Sequence, residues 1–327
     1  MEILSGVNYK HLIIAAGLAL ITLTACSEPE FDNRYNVSEL SSSDIVTLSD
    51  SDFKAKGFAS DLCVAYDAEP YNADGINASG YALFDLDGKN IISKNNIFEQ
   101  FYPASTTKIL TCLIALERGN LDDMVTVPNE SAITVSGSSM ADLNPGDVVR
   151  LGDLLYGLMV PSGNDAAVAI AHYIAGNESN FAEIMNQRVS DLGATGSHFV
   201  NSNGLPDQDH YTTVYDMYLI FNEALKHEEF RKIASTKEYT ATVTGSDGVE
   251  RELTWTSGNG FLSGKYSLPD GFQFTAGKTG HTNAAGFCLV MGEHKADGHQ
   301  YVSIVFKSPI YEQLYAGMKT LISKANG

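Results

Sequence analysis

Strand-like segments stand near both ends of this 327-residue chain, with a long helical stretch between them. That order limits the fold more than any single motif does. Residues 62–66, 80–85 and 91–93 read as short strands, with Asp87-Gly88 as a hairpin turn between the last two. A helix follows and ends near Arg118-Gly119. Residues 120–235 then read as mostly helical. The apolar run 151–160 stops at Pro161, 165–175 ends at Gly176, 181–192 ends at Gly193, and 212–226 follows. From Tyr239 the pattern returns to strands at 240–244, 272–278, 286–291 and 301–306, with Asp297-Gly298 turning the last pair. Residues 310–324 close as an amphipathic helix. The expected class is therefore α/β of the α+β kind: one antiparallel sheet shared by both ends of the chain, flanked by helices, with a mostly helical second lobe. A cleft between sheet and insert is the expected ligand site.

Three short elements point into that cleft. The first is Tyr102-Pro103-Ala104-Ser105-Thr106-Thr107-Lys108, at a helix start marked by Pro103 and followed by apolar residues at Ile109, Leu110, Leu113, Ile114 and Leu116. Ser105 and Lys108 are i and i+3, so they share one helical face. A serine hydroxyl is a weak nucleophile until a neighbouring base takes its proton, and a neutral amine one turn away does that. The helix start adds backbone N–H groups where an oxyanion forms. Alone, Ser-x-x-Lys is more often a solvated polar first turn. The second element is Pro161-Ser162-Gly163-Asn164, between two helices. Ser162 or Asn164 there is either a helix cap or a hydroxyl and an amide presented on a rigid turn. The third is Ala276-Gly277-Lys278-Thr279-Gly280-His281-Thr282, at the end of a strand. Its glycines let another chain approach the backbone closely. A cation with hydroxyls on Thr279 and Thr282 suits a carboxylate, though a strand end with a solvated Lys is the plainer alternative.

Each element is common by itself, but the ordered trio Ser-x-x-Lys, Ser-x-Asn, Lys-Thr-Gly is not. It resembles the motif set of penicillin-binding proteins and class A β-lactamases. The wider strings PASTTKILT, DLLYGLMVPSGNDAAVAIA and GKTGHTNAAGFCLV, with the segment from His198-Phe199 to Asn203-Gly204-Leu205, resemble the low-molecular-mass penicillin-binding proteins of the serine D-alanyl-D-alanine carboxypeptidase family, peptidase family S11. The similarity spans roughly residues 55–325. It implies a β-lactamase/transpeptidase-like fold and hydrolysis of the terminal D-alanine of peptidoglycan stem pentapeptides through an acyl-enzyme, with β-lactams as inhibitors and no cofactor or metal. It implies Ser105 as nucleophile, Lys108 as general base and Ser162 as proton relay. Asn164 would hold the peptide, and Lys278, Thr279 and Thr282 its terminal carboxylate. The backbone N–H groups of Ser105 and His281 would form the oxyanion hole. For Lys108 to act as base it must be neutral, and burial together with Lys278 would lower its pKa. Some relatives place an Arg after the last strand to grip the carboxylate. No Arg follows Arg251 here, so Lys307 is the candidate substitute.

The N-terminus reads as a targeting segment. Lys10 and His11 precede the apolar run 12–21, which is shorter than the roughly 20 residues a bilayer requires. Leu23-Thr24-Ala25-Cys26 then resembles the lipobox of bacterial lipoproteins, which implies residues 1–25 as signal peptide and Cys26 as the lipidated residue. Residues 26–53 are acidic and serine-rich and read as a flexible tether; 54–327 form the catalytic domain. Many relatives carry a second β-rich domain and a C-terminal amphipathic membrane helix. This chain is expected to stop after the catalytic domain and to use its lipid as the anchor, on the extracytoplasmic side. A formal net charge of −19 argues against nucleic acid or an anionic lipid surface as partner. Cys63, Cys112 and Cys288 remain, and two of them are able to pair in an exported chain. Cys112 lies on the Ser105–Lys108 stripe and reads as a small buried residue. No HExxH or CxxC appears, which disfavours a metalloenzyme. A β-lactamase or esterase would need a carboxylate placed to activate a deacylating water, and none stands in a recognisable motif. A non-catalytic muropeptide receptor would carry a broken motif, and all three are intact.

Overall fold

The computed structural model describes residues 59–73 and 75–326. The signal segment, Cys26 and the acidic tether lie outside the described residues. β1 (Gly80–Asp85) and β2 (Asn90–Asn95) form the first hairpin. A short 3-10 turn at Ala104–Thr107 leads into α1 (Lys108–Arg118). The insert holds β3 (Met124–Thr126), β4 (Val148–Arg150), α2 (Leu151–Met159), α3 (Asn164–Ala175), α4 (Glu178–Asp191), α5 (Val214–Ala224), α6 (Glu228–Ala234), β5 (Glu238–Thr244) and β6 (Glu250–Thr256). β7 (Phe272–Thr282), β8 (Gly286–Lys295), β9 (Gln300–Ser308) and α7 (Tyr311–Ser323) complete the chain.

The main sheet runs β2-β1-β9-β8-β7, antiparallel throughout, so both ends of the chain do share it. Strand side chains alternate between faces. Tyr81, Leu83, Leu289, Met291 and Val305 pack against Leu314, Tyr315, Met318, Leu321 and Ile322 of α7, whose spacing makes one helical stripe. Ala82, Phe84, Val290, Val302, Ile304 and Phe306 face the larger core with α1 and the insert. α1 is buried on every side over its first eight residues and packs against α2, α3, α4, α5 and α6. Cys63, Cys112 and Cys288 are all free and buried.

Three expectations are corrected. Residues 62–66 form no strand. Their backbone is satisfied by side chains instead, since Tyr218 Oη accepts from Cys63 N (2.8 Å) and Tyr215 Oη donates to Cys63 O (2.9 Å). Residues 120–235 are less helical than their periodicity suggests, because they hold β3 and β4, and these join β5, where a strand was expected, and β6 in a second, four-stranded sheet. β3 and β4 are too short for a sequence signal, and in β6 only Trp255 is buried. Finally, Ser105 sits on the 3-10 turn and not on the α-helix. In such a turn i and i+3 eclipse, which preserves its pairing with Lys108.

One buried group predicts a pH dependence of stability. Glu293 shares a face of β8 with Leu289 and Met291 and is 1% exposed. One carboxyl oxygen accepts from Ser303 Oγ and the other has no partner. Burial pushes its pKa up to about 8 from 4.5, so it is protonated when folded and ionised when unfolded between those values. Stability contributed below about pH 4.5 is therefore lost as pH rises through about 8. At about 1.4 kcal/mol per unit the loss is of order 5 kcal/mol. Glu293→Gln should flatten the fall in Tm between pH 5 and pH 8. Parallel Tm-against-pH curves for the two proteins would refute this assignment.

Candidate active site

The 3-10 turn is held rigidly. Ala104 lies in the left-handed region (φ 49°), which turns the chain sharply just before Ser105. Thr106 Oγ1 donates to Pro103 O at 2.7 Å. Val200 N donates to His210 Nδ1, so the ring proton sits on Nε2, which donates to Thr107 Oγ1 at 2.9 Å. Burial pushes the His210 pKa down to about 4, which keeps this ring neutral at physiological pH.

Lys108 opens α1 and is fully buried. Its Nζ lies 3.0 Å from Ser105 Oγ, 2.6 Å from Asn164 Oδ1 and 2.7 Å from Asn203 O. A neutral amine has two N–H bonds and one lone pair. The two carbonyl oxygens take the N–H bonds, and the lone pair faces the Ser105 hydroxyl. Burial first, then the charge of Lys278, holds the Lys108 pKa well below the usual lysine range, while Asp165 and Glu178 oppose that shift. The base is thus aimed at Ser105, and its surroundings favour the deprotonated form.

Ser162 stands on the turn between α2 and α3 with φ 65°, another left-handed residue. Its hydroxyl accepts from Lys278 Nζ at 2.9 Å, and Lys278 also donates to Thr279 O at 3.0 Å. Burial pushes the Lys278 pKa down to about 7. Asn164 is 4% exposed; its oxygen is taken by Lys108, and its side chain also lines the cleft. The next residue, Asp165, accepts from the backbone N–H groups of Ala141 and Leu143 at 2.8 and 3.0 Å. That grip fixes one wall of the cleft.

β7 is an edge strand, so alternate backbone groups face the cleft without a strand partner. Gly280 lets this edge approach the 3-10 turn: a Cβ there would stand 3.0 Å from both Pro103 O and Ser105 N. The Ser105 N–H is thereby brought against β7, beside His281. Thr282 Oγ1 accepts from Ala285 N at 3.0 Å, ordering the β7–β8 turn. Ser105 lies at the junction of two recesses. One, about 440 Å³, is lined by Ser105, Asn164, Asn203, His281 and Thr282 among others. The other, about 250 Å³, is lined by Ser105, Ser162, Thr279, His281, Phe287 and Tyr311 among others. Among the described residues, no Asp or Glu lines either one.

Lys108 thus contacts Ser105 directly, Asn164 and Thr282 line one recess beside it, Ser162 and Thr279 line the other, and Lys278 reaches Ser162. Lys307 does not join them. It is exposed, with φ 57°, beside an irregularity in the β8–β9 pairing, and lines a separate hollow with Tyr102, Ala284 and Ala285. Conversely, the Asn203 carbonyl, Asp165 and His210 were not anticipated. Asn203 lies in a quoted segment, but a backbone carbonyl leaves no trace in residue type. Among the described residues no group of three His, Cys, Asp or Glu is placed to hold a metal ion, and no helix is long and apolar enough to cross a membrane.

Comparison with known proteins agrees with this geometry. The family model for D-alanyl-D-alanine carboxypeptidase, peptidase S11, matches residues 67–309. The D-alanyl-D-alanine carboxypeptidase DacA of Haemophilus influenzae is 34% identical over 258 residues, 76% of this chain and 61% of that protein. The D-alanyl-D-alanine carboxypeptidase DacF of Bacillus subtilis is 31% identical over 232 residues, 70% of this chain and 57% of that protein. This chain therefore spans 57–61% of the length of these two relatives. Among solved structures, the Streptomyces K15 DD-transpeptidase superposes with a TM-score of 0.71 at 28% identity, covering 78% of this chain and 99% of that one. Penicillin-binding protein 5 of Haemophilus influenzae gives 0.67 at 31% identity, covering 77% and 72%. Mixed helices and antiparallel sheets in the DD-peptidase arrangement, the family match over most of the chain and the identity to curated relatives lead to one conclusion: this chain belongs to the peptidase S11 D-alanyl-D-alanine carboxypeptidase family.

Proposed function

We propose that this protein is a serine-type D-Ala-D-Ala carboxypeptidase acting on peptidoglycan stem pentapeptides. The observation that carries the reading is the buried Lys108 amine, held by two carbonyl oxygens with Ser105 Oγ 3.0 Å from its nitrogen. In the first half-reaction Ser105 gives its proton to Lys108, and Oγ attacks the carbonyl of the penultimate D-Ala. The oxyanion is stabilised by the N–H groups of Ser105 and His281; one such donor is typically worth about 3–4 kcal/mol. Ser162 relays that proton from Lys108 to the departing amine, and D-Ala leaves. In the second, Lys108 takes a proton from water, which attacks the ester, and then returns that proton to Ser105 Oγ as the shortened peptide leaves. Asn164 holds the stem peptide, while Lys278, Thr279 and Thr282 hold the terminal carboxylate. An incoming carboxylate raises the pKa of Lys278 from about 7 and secures its charge.

The lipobox-like Leu23-Thr24-Ala25-Cys26 supports a lipoprotein anchored in a membrane through Cys26 and facing the extracytoplasmic space, where peptidoglycan lies. β-Lactams would acylate Ser105 as substrate mimics. The carboxylate-free lining of both recesses favours a long-lived adduct over β-lactamase turnover. Two measurements test this reading together. The protein should release D-Ala from a diacyl-Lys-D-Ala-D-Ala peptide, and intact-mass spectrometry should find one penicillin per chain lasting minutes to hours. No release and no adduct would refute the proposal; an adduct cleared within milliseconds would instead favour a β-lactamase.

A further inference from the structure

Asn203 contributes only its carbonyl to Lys108, and that carbonyl is presented from behind the site. Glu178, in the first turn of α4, accepts from Ser202 N at 2.9 Å and from Ser202 Oγ at 2.6 Å. On the other side, Thr111 Oγ1 of α1 donates to Ser202 O at 2.6 Å. Ser202 is fully buried, and all of its polar groups are thus held. Asn201 Oδ1 accepts from Gly204 N at 2.7 Å and Asn203 Oδ1 from Leu205 N at 2.9 Å, so the peptides after Ser202 are held as well. The Asn203 carbonyl has no freedom to turn away from Lys108 Nζ. Without it, one N–H of the amine loses its partner and the lone pair is free to rotate off Ser105.

We propose that Glu178 is a positioning residue for the general base: by gripping Ser202 at two points it sets the Asn203 carbonyl that aims the Lys108 amine at Ser105. This inference rests on the acyl-transfer reading above. Glu178 never touches substrate and acts only through Ser202 and Asn203. It has a second effect through its charge. Lys278 of β7, Asp165 of α3, Glu178 of α4 and the neutral His210 ring are the titratable groups bearing on Lys108, and His172 of α3 also bears on Glu178. Of the groups near Lys108, Asp165 and Glu178 favour its protonated form. Loss of the Glu178 charge therefore makes Lys108 easier to deprotonate.

The test is the rate of acylation by a fluorescent penicillin from pH 5 to pH 9, on the full chain, for wild type, Glu178→Gln and Glu178→Asp, with Glu183→Gln on the exposed side of α4 as control. A Gln offers one acceptor oxygen where Ser202 brings two donors. Glu178→Gln should lower the plateau rate about ten- to a hundredfold through misplacement of the base. It should also move the acid limb of the profile to lower pH. Glu178→Asp should lower the plateau while leaving the acid limb where the wild type has it, because the charge stays. A folded Glu178→Gln with the wild-type plateau and profile would overturn the proposal. If Glu178→Gln does not fold, Glu178→Asp decides: a wild-type plateau there overturns it equally. Failure of the wild type to be acylated at all would instead bring down the functional reading itself.

Discussion

Replacing Ser105 by Ala is expected to abolish both D-Ala release and penicillin labelling, with kcat/KM falling by about 10⁴ or more and little change in Tm. The activity loss follows because, among the described residues, Ser105 is the side-chain hydroxyl that meets the Lys108 amine, while Cys112, on the same stripe, is buried, with its thiol pKa raised by burial. The small stability effect follows from the local bonding. The Ser105 side chain is half-buried and bonds only to Lys108 Nζ, which keeps its carbonyl partners on Asn164 and Asn203. Lys108→Met should cost about 10³–10⁴ in acylation rate, near the upper range for general base catalysis. The double variant should be scarcely slower than Ser105→Ala, because nucleophile and base work as one unit. Labelling rates from gel fluorescence and thermal melts check all three. A Lys108→Met protein that labels at the wild-type rate would remove Lys108 from the mechanism.

Gly204→Ala is expected to produce the largest structural effect of any single methyl group in the site. A Cβ at this position would stand 1.9 Å from Ala104 O and 2.4 Å from Ala104 C, and Gly204 has φ 88°. Both obstacles are backbone, and Ala104 is itself held at φ 49°, so neither side yields cheaply. Left-handed strain of about 1–2 kcal/mol adds to the collision, giving an expected loss of about 4 kcal/mol or more. Movement of either chain also shifts Ser105 or the Asn203 carbonyl, so acylation should fall with stability. Gly176→Ala is the matched control. It has φ 82° with nothing within 4 Å of a new Cβ, and should show only the strain. Equal melting temperatures for the two variants would contradict the proposed collision.

What a residue contributes through its side-chain chemistry was legible in the sequence. Ser105, Lys108, Ser162, Asn164, Lys278, Thr279 and Thr282 each carry a group that the expected chemistry requires, and the strand–insert–strand order brought them toward one cleft. The main sheet was legible because β1, β7, β8 and β9 alternate around a core and are long enough to register as patterns. The second sheet was not, since β3 and β4 are three residues each and their pairing depends on partners far along the chain. Residues 62–66 carry an apolar strand-like pattern, yet two tyrosines from α5 take the hydrogen bonds a neighbouring strand would have used. The Asn203 carbonyl was illegible because every residue has one, and only the fold selects which one meets an amine.

The division of the cleft at Ser105 has a consequence for traffic through the protein. Under the proposed acyl transfer, a chain laid across the serine would be severed into two fragments, one in each recess. The fragment without a bond to the serine is able to drift out past Tyr311 and Phe287, or past Leu205 and Pro206, without crossing the other's path. Solvent then fills the vacated side and reaches the ester while the bound fragment stays seated.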